Sequence, residues 1–223
     1  MALAQRRKTA TARRERERPV RPVRERVLSA AFATFRDRGF AGASTLEIAT
    51  RAKVSKRELY TLFDDKHAML KACIAARAAR MRAPLQLPAP HTRDDLAATL
   101  TALGASLLRG TSDPNVLAVY RLAISESEGA PAVARTLDAA GRQTNRAAVV
   151  KMVEEAQAHG ILRGGDAAAM AEVYFGALWN DLLVRMLLRV ADPPTAKEAE
   201  RRAQAAAELF LTVHAPAAST PPK

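Results

Sequence analysis

Residues 44–70 read STLEIATRAKVSKRELYTLFDDKHAML, and two short helices can be read from them. Ser44 or Thr45 is placed to cap the first, whose Ile48, Ala49 and Ala52 share a face. Ser55 with Glu58 three positions on is a capping-box pattern for the second, and Leu59, Leu62 and Phe63 give it a buried side. Asp64 or Asp65 opens a further helix that buries Met69, Leu70, Cys73 and Ile74. Only Lys53 and Val54 join the helices expected over 45–52 and 55–63. So tight a turn is helix-turn-helix geometry, in which the second helix enters the major groove. Ser55, Lys56 and Arg57 then stand where bases are read: arginine and lysine donate to guanine O6 and N7, and serine serves either base type. Tyr60, about one turn on, offers a hydroxyl to a phosphate. Ser44 and Thr45 combine hydroxyls with free backbone N–H groups at a positive dipole end, a ready phosphate site, and Lys66 adds a cation. Taken alone, a capped amphipathic helix pair is more often plain core than DNA reader.

The charge distribution favours the DNA reading. Residues 1–83 carry 21 Lys/Arg against 8 Asp/Glu, a net of +13, whereas residues 84–223 carry 14 against 15, a net of −1. One domain therefore faces a polyanion and the other does not, with nucleic acid the first candidate and an anionic membrane surface the second. A disordered solubilising tail would explain the +7 on residues 1–26 but not the +6 on residues 27–83.

Upstream, Val27, Leu28, Ala31, Phe32 and Phe35 repeat at helical spacing, and Gly39 supplies the stop. Residues 1–22 read as a flexible basic arm closed by Pro19 and Pro22. Downstream, Pro84–His91 looks like a linker, and beyond it every pattern is helical. Capping signals stand at Thr92 with Asp95, at Asp113-Pro114 and at Thr195 with Glu198. Pro131 opens a long helical pattern interrupted near Gly141 and closed by Gly160. Asp166 caps a segment running to about Val190 that is apolar on most sides and expected to be deeply packed. The fold class is all-α, with 216–223 a frayed tail.

Other chemistries find little support. A lone cysteine, Cys73, leaves no disulfide framework, and the four histidines lack ligand spacing, so neither a metal nor any other cofactor is expected. No polar catalytic set emerges, so the chain does not read as an enzyme. The Arg-rich start has no apolar run after it, and no uninterrupted stretch of 18 apolar residues occurs, so neither secretory signal nor membrane span is expected. The expected compartment is the cytoplasm. In the C-terminal half, Tyr120, Met152, Phe175 and Trp179 are candidates to line a small-molecule site, although such residues on helices are more often core.

The series Ser44-Thr45-x-x-Ile48-Ala49-x-x-Ala52-x-Val54-Ser55, followed by Tyr60, Phe63, Lys66 and Met69-Leu70, closely resembles the DNA-binding domain of TetR-family regulators, without gaps over about 50 residues from Val23. Tyr174-Phe-Gly-Ala-Leu-Trp-Asn-Asp-Leu-Leu, then Pro193-Pro194, looks like the C-terminal domain of the AefR-like subgroup. Many family members have glycine where this chain has Lys53; a lysine there either alters the turn or accepts strain, and adds a cation beside the groove.

The resemblance implies a DNA-binding domain over 23–70, with Lys53 and Val54 joining the contact set, and an effector-binding and dimerisation domain over 71–215. It implies a homodimer that represses by occupying a palindromic double-stranded operator and responds to a small molecule, apolar or aromatic. In the family the last two helices pair with their symmetry mates, and the stripe Ala199, Ala203, Ala207 and Phe210 suits such an approach. The rival reading is a non-sensing architectural DNA-binding dimer.

Overall fold

The computed structural model describes residues 22–81 and 89–216, the side chains of 78–81 and 140 excepted. The arm expected over 1–22 thus lies outside the described residues apart from Pro22, as do most of the 84–91 stretch and residues 217–223. Among the described residues the regular elements are all helices. The chain divides into two compact units, Met1–Met69 and Leu70–Lys223.

The first unit holds α1 (Val23–Gly42), α2 (Thr45–Ala52), α3 (Lys56–Leu62) and the first turn of α4 (Lys66–Met81). Val27, Ala31, Phe32 and Phe35 of α1 join Ile48, Ala49, Leu59 and Phe63 in its core. The buried Thr34 is satisfied because its Oγ1 donates to the Ala30 carbonyl at 3.0 Å. Gly39, at φ 70°, kinks the end of α1. Ser44 caps α2, Ser55 and Glu58 form a complete capping box on α3, and Asp65 accepts from the Ala68 N–H at the start of α4. Leu62, expected inside, is 36% exposed, because α3 is only seven residues long and buries Leu59 alone.

The turn between α2 and α3 keeps the glycine geometry without the glycine. Lys53 sits at φ 56°, ψ 52°, its N–H donates to the Thr50 carbonyl at 3.1 Å, and Val54 N–H reaches Ala49 at 3.0 Å. That reciprocal pair closes a helix end, and a side chain in the left-handed region costs about 1 kcal/mol.

The second unit holds the rest of α4 and then α5 (Arg93–Thr111), α6 (Pro114–Ser125), α7 (Pro131–Ala140), α8 (Arg142–Ala158), α9 (Ala167–Trp179), α10 (Leu182–Leu187) and α11 (Ala196–Val213). α5, α9 and α11 form its centre, with α8 against α9. Leu96, Leu100, Leu108, Val153, Ala171, Tyr174 and Phe210 are fully buried there. The Tyr174 hydroxyl donates to the Leu100 carbonyl at 2.7 Å. Gly104 permits the close approach: a Cβ there would lie 2.6 Å from that hydroxyl and 3.0 Å from Ala203 Cβ.

Two expectations are corrected here. Ala199, Ala203, Ala207 and Phe210 are buried inside the chain, in the core that α11 shares with α5 and α9, so this stripe is not a surface for a symmetry mate. Small residues at helical spacing announce close packing without naming the partner. The segment 166–190 is likewise not deeply packed throughout. Asn180, at φ 44° and ψ −124°, ends α9, and Val184, Leu188 and Val190 are 57%, 67% and 64% exposed.

Candidate functional site

In the first unit, α3 carries Ser55, Lys56, Arg57 and Tyr60 on its exposed side. Ser55 Oγ accepts the Glu58 N–H at 3.1 Å while Glu58 Oε2 accepts the Ser55 N–H at 2.7 Å. That Ser55 backbone bond, before all else, holds the Glu58 carboxyl below its ordinary pKa. The Ser55 hydroxyl also bonds this carboxylate and lowers its pKa further. Tyr60 Oη lies 3.4 Å from Thr45 Oγ1, and the Lys56 ammonium is 5.9 Å from the Tyr60 ring centre. Two hydroxyls and a cation from α2 and α3 thus converge on one place, while Ser44 Oγ is occupied in capping α2. Leu46 is 65% exposed beside Thr45; only the structure reveals this apolar side chain, since the helical pattern says nothing of a first-turn residue.

Three other cations of this unit, Arg36, Arg38 and Arg51, have acidic partners, and the exposed Arg24 lies over the Phe63 ring, 5.4 Å from its centre. Asp37 bonds Arg36 and Arg51, chiefly the former, which lowers its pKa, and Glu47 pairs with Arg38 and Arg51. Among the described residues, Lys53, Lys56 and Arg57 carry exposed charges with no acidic partner within salt-bridge distance. Lys66 is placed differently from a side chain reaching freely for phosphate. Its ammonium donates to the Phe40 carbonyl at 2.8 Å and the Ala43 carbonyl at 3.3 Å, and lies 4.3 Å from the Phe40 ring centre. One N–H of three is left over.

In the second unit, α5 to α10 line a cavity of about 780 Å³ that is partly open to solvent. Leu107, Ile124, Leu137, Phe175, Trp179 and Leu183 form much of its wall, and Tyr120, Asp138, Arg142, Asn145, Arg146 and Glu172 supply polar groups. Burial, then the nearby Asp138 carboxylate, pushes the Tyr120 hydroxyl pKa up. Tyr120, Phe175 and Trp179 stand on this wall, but Met152 does not: it is packed in the core with Val149 and Val153. Periodicity finds the apolar face of α8 but cannot divide it between core and cavity. Among the described residues no three potential metal ligands cluster, and no helix is long and apolar enough to cross a membrane.

Residues 27–73 match the family model described as bacterial regulatory proteins, tetR family, and residues 98–216 match the AefR-like transcriptional repressor, C-terminal domain. The chain belongs to the TetR family of transcriptional regulators. A TetR regulator from Agrobacterium tumefaciens is 28% identical, with a TM-score of 0.77 over 88% of this chain and 96% of its own. The flavonoid-responsive regulator FrrA is 26% identical, with a TM-score of 0.72 over 88% of this chain and 98% of its own. A TetR-family regulator from Pseudomonas syringae shares the fold at 23% identity, with a TM-score of 0.64 over 86% and 96% of the two chains. Among curated proteins, none matches the chain. The helix-turn-helix of this TetR-family regulator is its DNA-binding domain.

Proposed function

We propose that this TetR-family regulator is a homodimeric repressor that leaves its operator when a small, largely apolar or aromatic molecule enters the cavity of the second unit. The observation that carries the reading is that cavity, whose volume and mainly apolar wall with a few polar groups are those of a small-molecule site. The flavonoid response named for FrrA supports an aromatic effector.

On the DNA side, Ser55, Lys56 and Arg57 read bases, Thr45 and Tyr60 hold a phosphate, and Ser44 presents the α2 N-terminus to the backbone. Lys53 and Val54 border the groove, and Lys66 stiffens the end of α1 while offering its remaining donor. Dimerisation falls to the exposed face of α9 and α11, where Val173, Gly176, Ala177 and Leu209 line a shallow groove and Val213 is half exposed. Glycine and alanine there let a second helix pair approach closely.

A thermal-shift screen of apolar and aromatic metabolites, followed by operator competition with each hit, tests the proposal. A hit that stabilises the protein and releases DNA supports it. Silence across a broad screen favours the non-sensing architectural dimer.

A further inference from the structure

The cavity wall of the second unit carries four charged side chains, and their pairing governs what can enter. Arg142 Nε donates to Asp138 Oδ1 at 2.6 Å and Nη2 to Oδ2 at 3.5 Å, and Gln143 Nε2 donates to the same Oδ2 at 2.7 Å. Arg146 pairs with Glu172 of α9 and points a second guanidinium nitrogen at the Ala168 carbonyl, 3.4 Å away. Two carboxylates and two guanidinium groups therefore cancel pair by pair. An incoming carboxylate or phosphate must share an arginine with Asp138 or Glu172 and lie beside that carboxylate, a repulsion that water screens in part because both pairs are partly exposed.

An uncharged hydroxyl meets no such penalty. Tyr120 and Asn145 stand on the same wall, and Asp138, with three bonds made, retains acceptor capacity. Tyr120, Phe175 and Trp179 are three of the five aromatic residues in the second unit, and all three line this space. Rings contributed by α6 and by one face of α9 favour a flat aromatic ligand.

We propose that the cavity selects uncharged, flat aromatic molecules bearing a hydroxyl. Tyr120, Asn145 and Asp138 recognise the hydroxyl, and the Asp138–Arg142 and Glu172–Arg146 pairs turn anions away. This rests on the reading of the cavity as the effector site.

Three probes of one shape test it: para-hydroxybiphenyl, biphenyl para-carboxylate and biphenyl. Each is titrated into the full-length protein at pH 7, with binding heat and Trp179 emission as readouts. At that pH a phenol keeps its proton and a carboxylic acid does not. The hydroxyl probe is expected to bind about tenfold tighter than the carboxylate. Asp138→Asn and Glu172→Gln each leave an arginine without its counter-charge, so each is expected to raise carboxylate affinity about tenfold. Glu172→Gln should move the hydroxyl probe less, whereas Asp138→Asn should also weaken it, since Asp138 accepts its hydroxyl. Biphenyl is expected to bind more weakly than its hydroxyl derivative. A wild-type protein that binds carboxylate as tightly as hydroxyl, or substitutions that leave carboxylate affinity unchanged, overturns the selectivity while leaving the cavity an effector site. No binding of any probe overturns the selectivity, while the effector site itself stands or falls on the broad metabolite screen.

Discussion

Arg202 of α11 donates Nη2 to the Trp179 carbonyl at 2.9 Å and Nε to the Leu178 carbonyl at 2.6 Å. The residue whose ring lines the cavity is thus tied at its backbone to a side chain on the exposed groove of α9 and α11. The last carbonyls of a helix lack partners within it, and Asn180 has already turned the chain away. A guanidinium, with its fixed fork of donors, satisfies two of them at once.

Arg202→Met keeps most of the apolar stem and removes both donors. Stability should fall by about 2 kcal/mol, the scale for lost bonds from a charged group. Arg202→Lys should recover only part of it, since an ammonium lacks the fork. Urea unfolding checks both, and an unchanged midpoint for Arg202→Met would make the contact idle.

Lys53→Gly removes a side chain from the left-handed region. It should stabilise the DNA-binding unit by about 1 kcal/mol. If Lys53 also meets a phosphate, the same variant should lower the salt dependence of operator binding by about one unit of slope. Thermal unfolding and a salt titration separate the effects.

Arg57→Ala should cost about 1–3 kcal/mol of operator binding and relax preference at one base per half-site. Tyr60→Phe, which loses only the hydroxyl beside Thr45, should weaken all DNA sequences alike. Lys66→Met should lower stability, because two carbonyls lose a charged donor. Binding to a panel of operator variants, with melting of each protein, distinguishes the three roles. Identical base preferences for Arg57→Ala and wild type would take Arg57 out of the reading set.

Much of the first unit was legible because its signals are local. Ser55 and Glu58 lie three residues apart, and the helix they cap begins where the spacing says. The Lys53 turn was also visible, though whether the chain would avoid or accept the strain was not. The second unit was harder because its decisive contacts span long separations. Arg202 meets Trp179 from 23 residues away, and Tyr174 meets Leu100 from 74. The alanine stripe of α11 looks the same whether it faces α5 or another subunit. Tyr120, Phe175 and Trp179 were recognisable as large adaptable side chains. The charge pairing around them was not, since Arg146 and Glu172 belong to different helices.

His214 is buried with both ring nitrogens lacking a hydrogen-bond partner among the described residues, its ring 4.8 Å from that of Phe210. Burial first, and Arg163 second, lower its pKa. The folded protein therefore holds this proton less readily than the unfolded chain. Its stability contribution is complete above the ordinary histidine pKa of about 6.5 and is lost as pH falls through the lower folded value. His214→Phe keeps the ring contact and should flatten the decline in stability on acidification. Urea midpoints measured from pH 7.5 downward check this, and an unaltered slope would assign the acid sensitivity to other groups.

The most direct test of the account couples the two units in one titration. An operator selected by the purified protein from random DNA is titrated with and without a saturating ligand that perturbs Trp179, the sole tryptophan. Ligand should weaken operator binding roughly 5–150-fold, and bound operator should weaken the ligand by the same factor, since one coupling free energy acts on both. A ligand that occupies the cavity, changes Trp179 emission and leaves operator affinity untouched would contradict it.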